Sequence, residues 1–127
     1  MINMAVLGCS GAIGKAITEQ LAQAFPHARI YAFSRQPSQD FAANVQSASI
    51  DYTDEHTIEQ AAKVLGPGQC FSMVFVATGL LHNEKMMPEK SLQDLSPENM
   101  MASYQANTVL PALVAKHFAP KLAKDSR

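Results

Sequence analysis

The sequence predicts an α/β fold, a doubly wound parallel sheet of about four strands with helices on both faces. Three observations carry that expectation. Short apolar runs, partly β-branched or aromatic, stand at Ile2–Leu7, Arg29–Phe33, Val45–Ile50 and Phe71–Ala77. Stretches of helical period separate most of them. The first run passes through a glycine-rich junction, Gly8-Cys9-Ser10-Gly11-Ala12-Ile13-Gly14, straight into a helical pattern. With 127 residues, the chain suffices for a single domain that buries about two-thirds of the surface its unfolded form exposes.

After the first strand, Ile13, Ile17, Leu21 and Phe25 recur every fourth residue and mark one apolar stripe, which Pro26 ends. The segment between Phe33 and Val45 is polar and reads as a loop with a short helical turn. Past the third strand, Thr53 is placed to cap a helix with Asp54 and Glu55 in its first turn and Ile58, Ala61, Ala62 and Leu65 on one face. Gly66-Pro67-Gly68 closes it. The run "SMVFVA" is apolar on both faces, as a central strand should be. A last long helix is expected from Ser96 as N-cap, with Pro97 first inside it, to about Ala123. Met86, Met87, Met100 and Met101 read as adaptable core or rim fillers, and Tyr104 as a packing residue.

Ten basic and eleven acidic residues, scattered without runs, give a net charge of −1, so a nucleic-acid or anionic-membrane surface is not expected. No apolar run approaches the roughly 18 residues of a membrane span, and "MINMAV" lacks a signal-peptide pattern. A cytoplasmic protein is the expectation, with Cys9 and Cys70 as reduced thiols. The four histidines and two cysteines show no metal-ligand spacing, so no metal is expected.

The glycine loop carries the chemistry. Where a strand passes into a helix, side chains are missing because the backbone must turn sharply or because something approaches it closely. The helix start offers unpaired N–H groups and a partial positive charge, suited to the pyrophosphate of a dinucleotide. A tight turn with no ligand is the competing reading. About 20 positions beyond the loop, where NAD-binding chains place a carboxylate on the ribose, stand Ser34 and Arg35. A hydroxyl and a guanidinium suit a 2′-phosphate, so NADP is expected ahead of NAD. Asp51 follows the third strand and has two readings: an acceptor for an adenine amino group, or a partner for the dipole of the helix it precedes. Ala77, Thr78 and Gly79 put small residues at the crevice floor. Pro111 lacks the N–H that would bond the carbonyl of Asn107, so a kink there exposes a polar spot able to hold a water.

Together these residues resemble the N-terminal half of the short-chain dehydrogenase/reductase family, over essentially the whole chain. In the family's Thr-Gly-x-x-x-Gly-x-Gly, Leu7 replaces the threonine, Gly8 and Gly14 match, and Ala12 replaces the middle glycine. Val76-Ala77-Thr78-Gly79 stands for its Asn-Asn-Ala-Gly, and "TGLLH" with "PEKSL" resembles the C-factor-like subgroup. The resemblance implies a Rossmann-like sheet of order 3-2-1-4, truncated after the fourth strand. It implies NADP(H) on Gly8, Ser10, Gly11, Ala12, Ile13, Gly14, Ser34, Arg35, Asp51, Ala77, Thr78 and Gly79, and Asn107 as the tetrad asparagine. The family's serine and Tyr-x-x-x-Lys are missing: four residues after Tyr31, Tyr52 and Tyr104 come Arg35, His56 and Thr108. Full-length relatives transfer a hydride between NADP(H) and a carbonyl or alcohol; these 127 residues alone are expected to be inactive. The alternative is a noncatalytic nucleotide-sensing or protein-interaction module, associating through an uncovered fourth strand and the last helix. A methyltransferase would share the glycine loop, but would place a carboxylate where Ser34 and Arg35 stand.

Overall fold

The computed structural model describes residues 1–78 and 91–126. Four strands, β1 (Asn3–Leu7), β2 (Arg29–Ser34), β3 (Val45–Ser49) and β4 (Met73–Val76), form one parallel sheet in the order β3-β2-β1-β4. Ala5 is in register with both Tyr31 and Val74, and Ala32 with Ser47. The four strands and their order are those expected from the sequence.

Alternation along the strands builds two cores, because successive side chains point to opposite faces. Met4, Val6, Ile30 and Ala32 join Cys9 and Ala22 beneath α1 (Ala12–Ala24). Ala5, Leu7, Tyr31 and Phe33 meet Ile58, Phe71, Val114 and Phe118 on the other face. That face is covered by α2 (Glu55–Ala62) and by α4 (Leu110–Phe118). Phe71 is the hub of an aromatic set, 6.1 Å from Tyr31 edge-on and 5.6 Å from Phe118. Each such fully buried side chain contributes about 1.5–3 kcal/mol.

The buried face of α1 differs from the expected stripe. Gly14, Thr18 and Ala22 point inward, Ile17 and Leu21 flank them, and Ile13 and Phe25 are exposed. Small residues win the sheet-facing positions because the helix lies very close to the glycine loop. Thr18 satisfies its own hydroxyl on the carbonyl of Gly14 at 2.7 Å. At the other end of α1, Asn44 turns its amide onto the carbonyls of Ala22, Phe25 and Ala28, so the start of β3 caps the helix exit.

The cap of α2 also moves by one residue. Asp54, not Thr53, is the N-cap, its Oδ1 accepting from the N–H of His56 at 3.0 Å. α2 ends at Ala62, so Leu65 lies outside the helix and Gly66-Pro67-Gly68 turns the chain beyond it rather than closing it: Gln69 N–H bonds the carbonyl of Gly66, and Gly68 supplies the left-handed conformation at φ 76°. The polar segment before β3 is irregular; its turn is closed by the N–H of Val45 on the carbonyl of Ala42.

The last helix is interrupted. Ser96 caps α3 (Pro97–Tyr104) as expected, its Oγ accepting from Asn99 N–H at 3.1 Å. A π-helical segment, Gln105–Val109, then leads into α4. Pro111 gives the physical reason, since its ring clashes with the carbonyl four residues back and a wider turn relieves the clash. Helical structure ends in a 3₁₀ turn at Ala119–Lys121, short of the expected Ala123. Leu122 instead runs parallel to Phe71, whose N–H and C=O bond Lys121 and Ala123 at 2.8 Å. Among the described residues β4 stands at the open edge of the sheet, as the order 3-2-1-4 and an uncovered fourth strand imply, although "SMVFVA" is apolar on both faces; Phe75 is 37% exposed.

Candidate functional site

The carboxyl ends of β1, β2, β3 and β4 open into one cleft of about 450 Å³. Gly8 and Ser10 come from the loop after β1, Arg35 follows β2, Tyr52 and Thr53 follow β3, and Ala77 and Thr78 follow β4. Ala102, Gln105 and Ala106 form a wall from α3 and the π segment. A larger hollow, about 550 Å³, lies around Arg29, Asn44 and Gln46 at the opposite end of the strands. It has no glycine loop and no helix start, so the chemistry points to the smaller cleft.

The glycines of the loop differ in what fixes them. Gly8 has φ 89°, and a Cβ there would lie 2.9 Å from the carbonyl carbon and oxygen of Ala77. A Cβ on Gly14 would lie 2.1 Å from the carbonyl oxygen of Gly8. Both are therefore demanded by packing of the chain on itself. Gly11 is not: its nearest neighbour to such a Cβ is the Gly8 oxygen at 3.6 Å, an ordinary contact. Gly11 is the N-cap of α1, no side chain caps the helix, and no acidic residue lies in its first turn. The bare helix start thus presents N–H donors and positive potential beside the cleft, a fit for an anionic group. Ser10, Ala12 and Ile13 are exposed around it, Ile13 at 68%.

Ser34 departs from its expected role. As the last residue of β2 it faces the same side as Ile30 and Ala32, toward α1, and is 1% exposed. Its hydroxyl stands beside the Cys9 thiol and has no ordinary hydrogen-bond partner among the described residues, and Ser34 is not among the residues that line the cleft. Burial pushes the Cys9 thiol up, with Ser34 opposing that shift. Arg35, one residue later, emerges into the cleft and supplies its cation alone.

Asp51 is engaged locally. Its Oδ1 accepts the N–H of Thr53 at 3.0 Å and the Thr53 hydroxyl at 2.6 Å, while its carbonyl accepts the Thr57 hydroxyl. The two Thr53 bonds, the hydroxyl first, with a smaller contribution from Arg35, hold its carboxyl below the usual range. Ala77 and Thr78 line the floor as expected, and the Thr78 hydroxyl is buried without a partner among the described residues. Gly79 lies outside the described residues, as do most of "TGLLH" and "PEKSL".

Asn107 is exposed on the π segment, with its amide N–H on Ser103 Oγ at 3.2 Å. Gln105 and Ala106 line the cleft instead. Met100, Met101 and Tyr104 are exposed on α3, at the surface rather than in a core. Tyr52, not among the residues the sequence assigns to the site, also lines the cleft. The signal available was its place directly after the carboxyl end of a parallel strand, where crevice residues arise.

Among the described residues no cluster of histidine, cysteine and carboxylates could hold a metal, and no helix is long and apolar enough to cross a membrane. No protein-family model matches the sequence, and no curated protein matches it significantly. Solved structures do match. One is a short-chain dehydrogenase family protein from Francisella tularensis, at TM-score 0.80 and 22% identity over 99% of this chain and 48% of that one. A carbonyl reductase from Pseudomonas aeruginosa matches at TM-score 0.80 and 16% identity, over 98% and 58%. An NADPH-bound carbonyl reductase from chicken fatty liver matches at TM-score 0.76 and 20% identity, over 94% and 50%. The chain therefore shares the fold of short-chain dehydrogenases and reductases, spanning roughly half the length of the solved chains it matches.

Proposed function

We propose that this chain binds NADP(H) across the carboxyl ends of its strands, as part of a short-chain dehydrogenase/reductase of the C-factor-like subgroup. The observation that carries the reading is the uncapped start of α1, where nothing crowds Gly11, beside Arg35, the one cation among the described residues that line the cleft. The pyrophosphate would rest on the N–H groups of the loop and helix start, and the 2′-phosphate beside Arg35. The subgroup assignment is supported by the "TGLLH" and "PEKSL" segments. The cofactor would supply hydride chemistry, and a protein containing this chain would act on a carbonyl or alcohol. These 127 residues contain no Tyr-x-x-x-Lys, so the reading gives them binding without turnover.

Calorimetric titration with NADP, NAD and their reduced forms tests it. NADP is expected to bind more tightly than NAD, and binding of neither would refute the reading. NADPH oxidation by the purified chain across a carbonyl panel would overturn the inactivity.

A second reading, an interaction module, is favoured by one observation. Among the described residues β4 is an edge strand with Phe75 and Val76 partly exposed, and Met100, Met101 and Tyr104 are exposed on α3. Unpaired strand edges and apolar surface are templates for association.

A further inference from the structure

Tyr52 follows β3, yet its side chain leans back across the sheet toward β2. Its hydroxyl lies 3.5 Å from the carbonyl oxygen of Phe33. That oxygen already accepts the N–H groups of Gly8 at 2.9 Å and Cys9 at 3.2 Å, so the phenol reaches the root of the glycine loop. The ring packs against the apolar cluster that contains Phe33, Ile50 and Ile58. Burial raises the phenol well above its ordinary range, which keeps it a neutral O–H. With the hydroxyl held at its inner end, the part of Tyr52 left to line the cleft is ring surface. Among the described residues that line the cleft, Tyr52 is the only aromatic; its neighbours there are the small Gly8, Ala77 and Thr78 and the cationic Arg35.

The order of these groups across the sheet follows the order of the strands. The glycine loop stands on β1, Arg35 on β2 and the Tyr52 backbone after β3, two strand spacings or about 10 Å from the loop, and the Tyr52 ring reaches back from there toward β2. We infer that Tyr52 is the platform on which the planar base of a nucleotide stacks while its phosphates rest at the start of α1, an inference that rests on the nucleotide-binding reading above. An aromatic face suits any base, because every base has a π surface, and a ring fixed at its hydroxyl loses little freedom when the base arrives.

The test uses two probes, 2′,5′-ADP, which carries base and phosphates, and inorganic pyrophosphate, which carries no base. Tyr52→Phe keeps the ring and Tyr52→Leu removes it. For 2′,5′-ADP, Tyr52→Phe should bind within about twofold of wild type and Tyr52→Leu about 5- to 150-fold more weakly, the span of a lost base–aromatic stack. Pyrophosphate binding should be unchanged in both. The chain has no tryptophan and three tyrosines, so tyrosine emission gives a second readout. Saturation with 2′,5′-ADP should quench it in wild type, and Tyr52→Phe should abolish most of that quenching. Unchanged 2′,5′-ADP affinity in Tyr52→Leu, or equal losses for both probes, overturns the stacking role and leaves the nucleotide reading standing. Failure of wild type to bind either probe overturns both. If Tyr52→Leu does not fold, the quenching decides: its absence, or its persistence in Tyr52→Phe, sinks the inference.

Discussion

The α-carbon of Gly14 is packed so tightly onto Gly8 that a side-chain carbon there would lie 2.1 Å from the Gly8 carbonyl oxygen. The obstacle is backbone, held between β1 and α1, and cannot swing aside. Gly14→Ala should therefore destabilise the fold by about 1–3 kcal/mol or more. A Cβ at Gly11 makes only an ordinary contact, 3.6 Å from the Gly8 oxygen, so Gly11→Ala should change the thermal midpoint little, yet it should weaken NADP binding by placing a methyl where a phosphate approaches. Paired denaturation and titration curves check both. Loss of stability at Gly11 equal to that at Gly14 would show that the whole loop is structural.

Arg35 is the only basic side chain among the described residues that line the cleft. Arg35→Ala should lower affinity for 2′-phosphorylated ligands about 10- to 150-fold, the range of a lost charge-assisted bond, and leave NAD nearly unaffected. The wild-type preference should also shrink with added salt. Equal losses for NADP and NAD would remove Arg35 from cofactor selection.

Ser34 gives a contrasting expectation, because its hydroxyl is buried under the loop without an ordinary partner. Replacing a buried, unsatisfied polar group by a smaller apolar one is nearly neutral or stabilising. Ser34→Ala should unfold at a denaturant concentration no lower than wild type, and its NADP affinity should be unchanged. A drop in NADP affinity alone would restore direct phosphate contact to Ser34.

The sheet and its order were legible because apolar runs of strand length alternate with helical periods, a signal set by backbone geometry. The face of α1 was not, since Ile13 and Phe25 fit the period, whereas the closeness of Gly14 to Gly8, a tertiary fact, decided which side faces in. The same holds at the site. Gly8, Gly11 and Arg35 follow from local sequence, but the inward turn of Ser34 depends on strand parity relative to α1. The π segment rotates Gln105 and Ala106, rather than Asn107, toward the cleft, which Pro111 hints at without giving the direction. Tyr52 escaped because its reach crosses to another strand.

Glu55 at the start of α2 joins two groups of α4 at once: Lys116 Nζ lies 2.6 Å and His117 Nε2 2.9 Å from its Oε1. The Lys116 contact first, then His117, holds its carboxyl below the ordinary value of 4.5. A carboxylate depressed in the folded state adds stability above its unfolded pKa and loses it as pH falls through the folded one. Wild type should therefore lose thermal stability more steeply than Glu55→Gln as pH is lowered from about 5 to about 3, the two converging at the acid end. Asp51 and Glu59, also depressed, are present in both proteins, so the difference isolates Glu55. Parallel pH profiles would show that the contact does not tie α2 to α4.

The exposed edge of β4 is where self-association should begin. One side of the strand is paired with β1, and on the other the described partner is the single bridge between Phe71 and Leu122, at the start of the strand. Phe75, further along and 37% exposed, adds apolar surface beside an open backbone edge. Natural edge strands are kept apart by charge, most often lysine, which carries its hydration to the edge and repels a second copy. Phe75→Lys should accordingly lower the apparent mass seen by light scattering at high concentration while leaving far-UV circular dichroism unchanged, because the residue lies outside both buried cores. Met100→Lys on α3 should act in the same direction if the helix shares the interface, and independently of Phe75→Lys if it does not. A wild-type chain that stays monomeric at high concentration would exclude the edge as a contact between copies and weaken the interaction-module reading in favour of the nucleotide one.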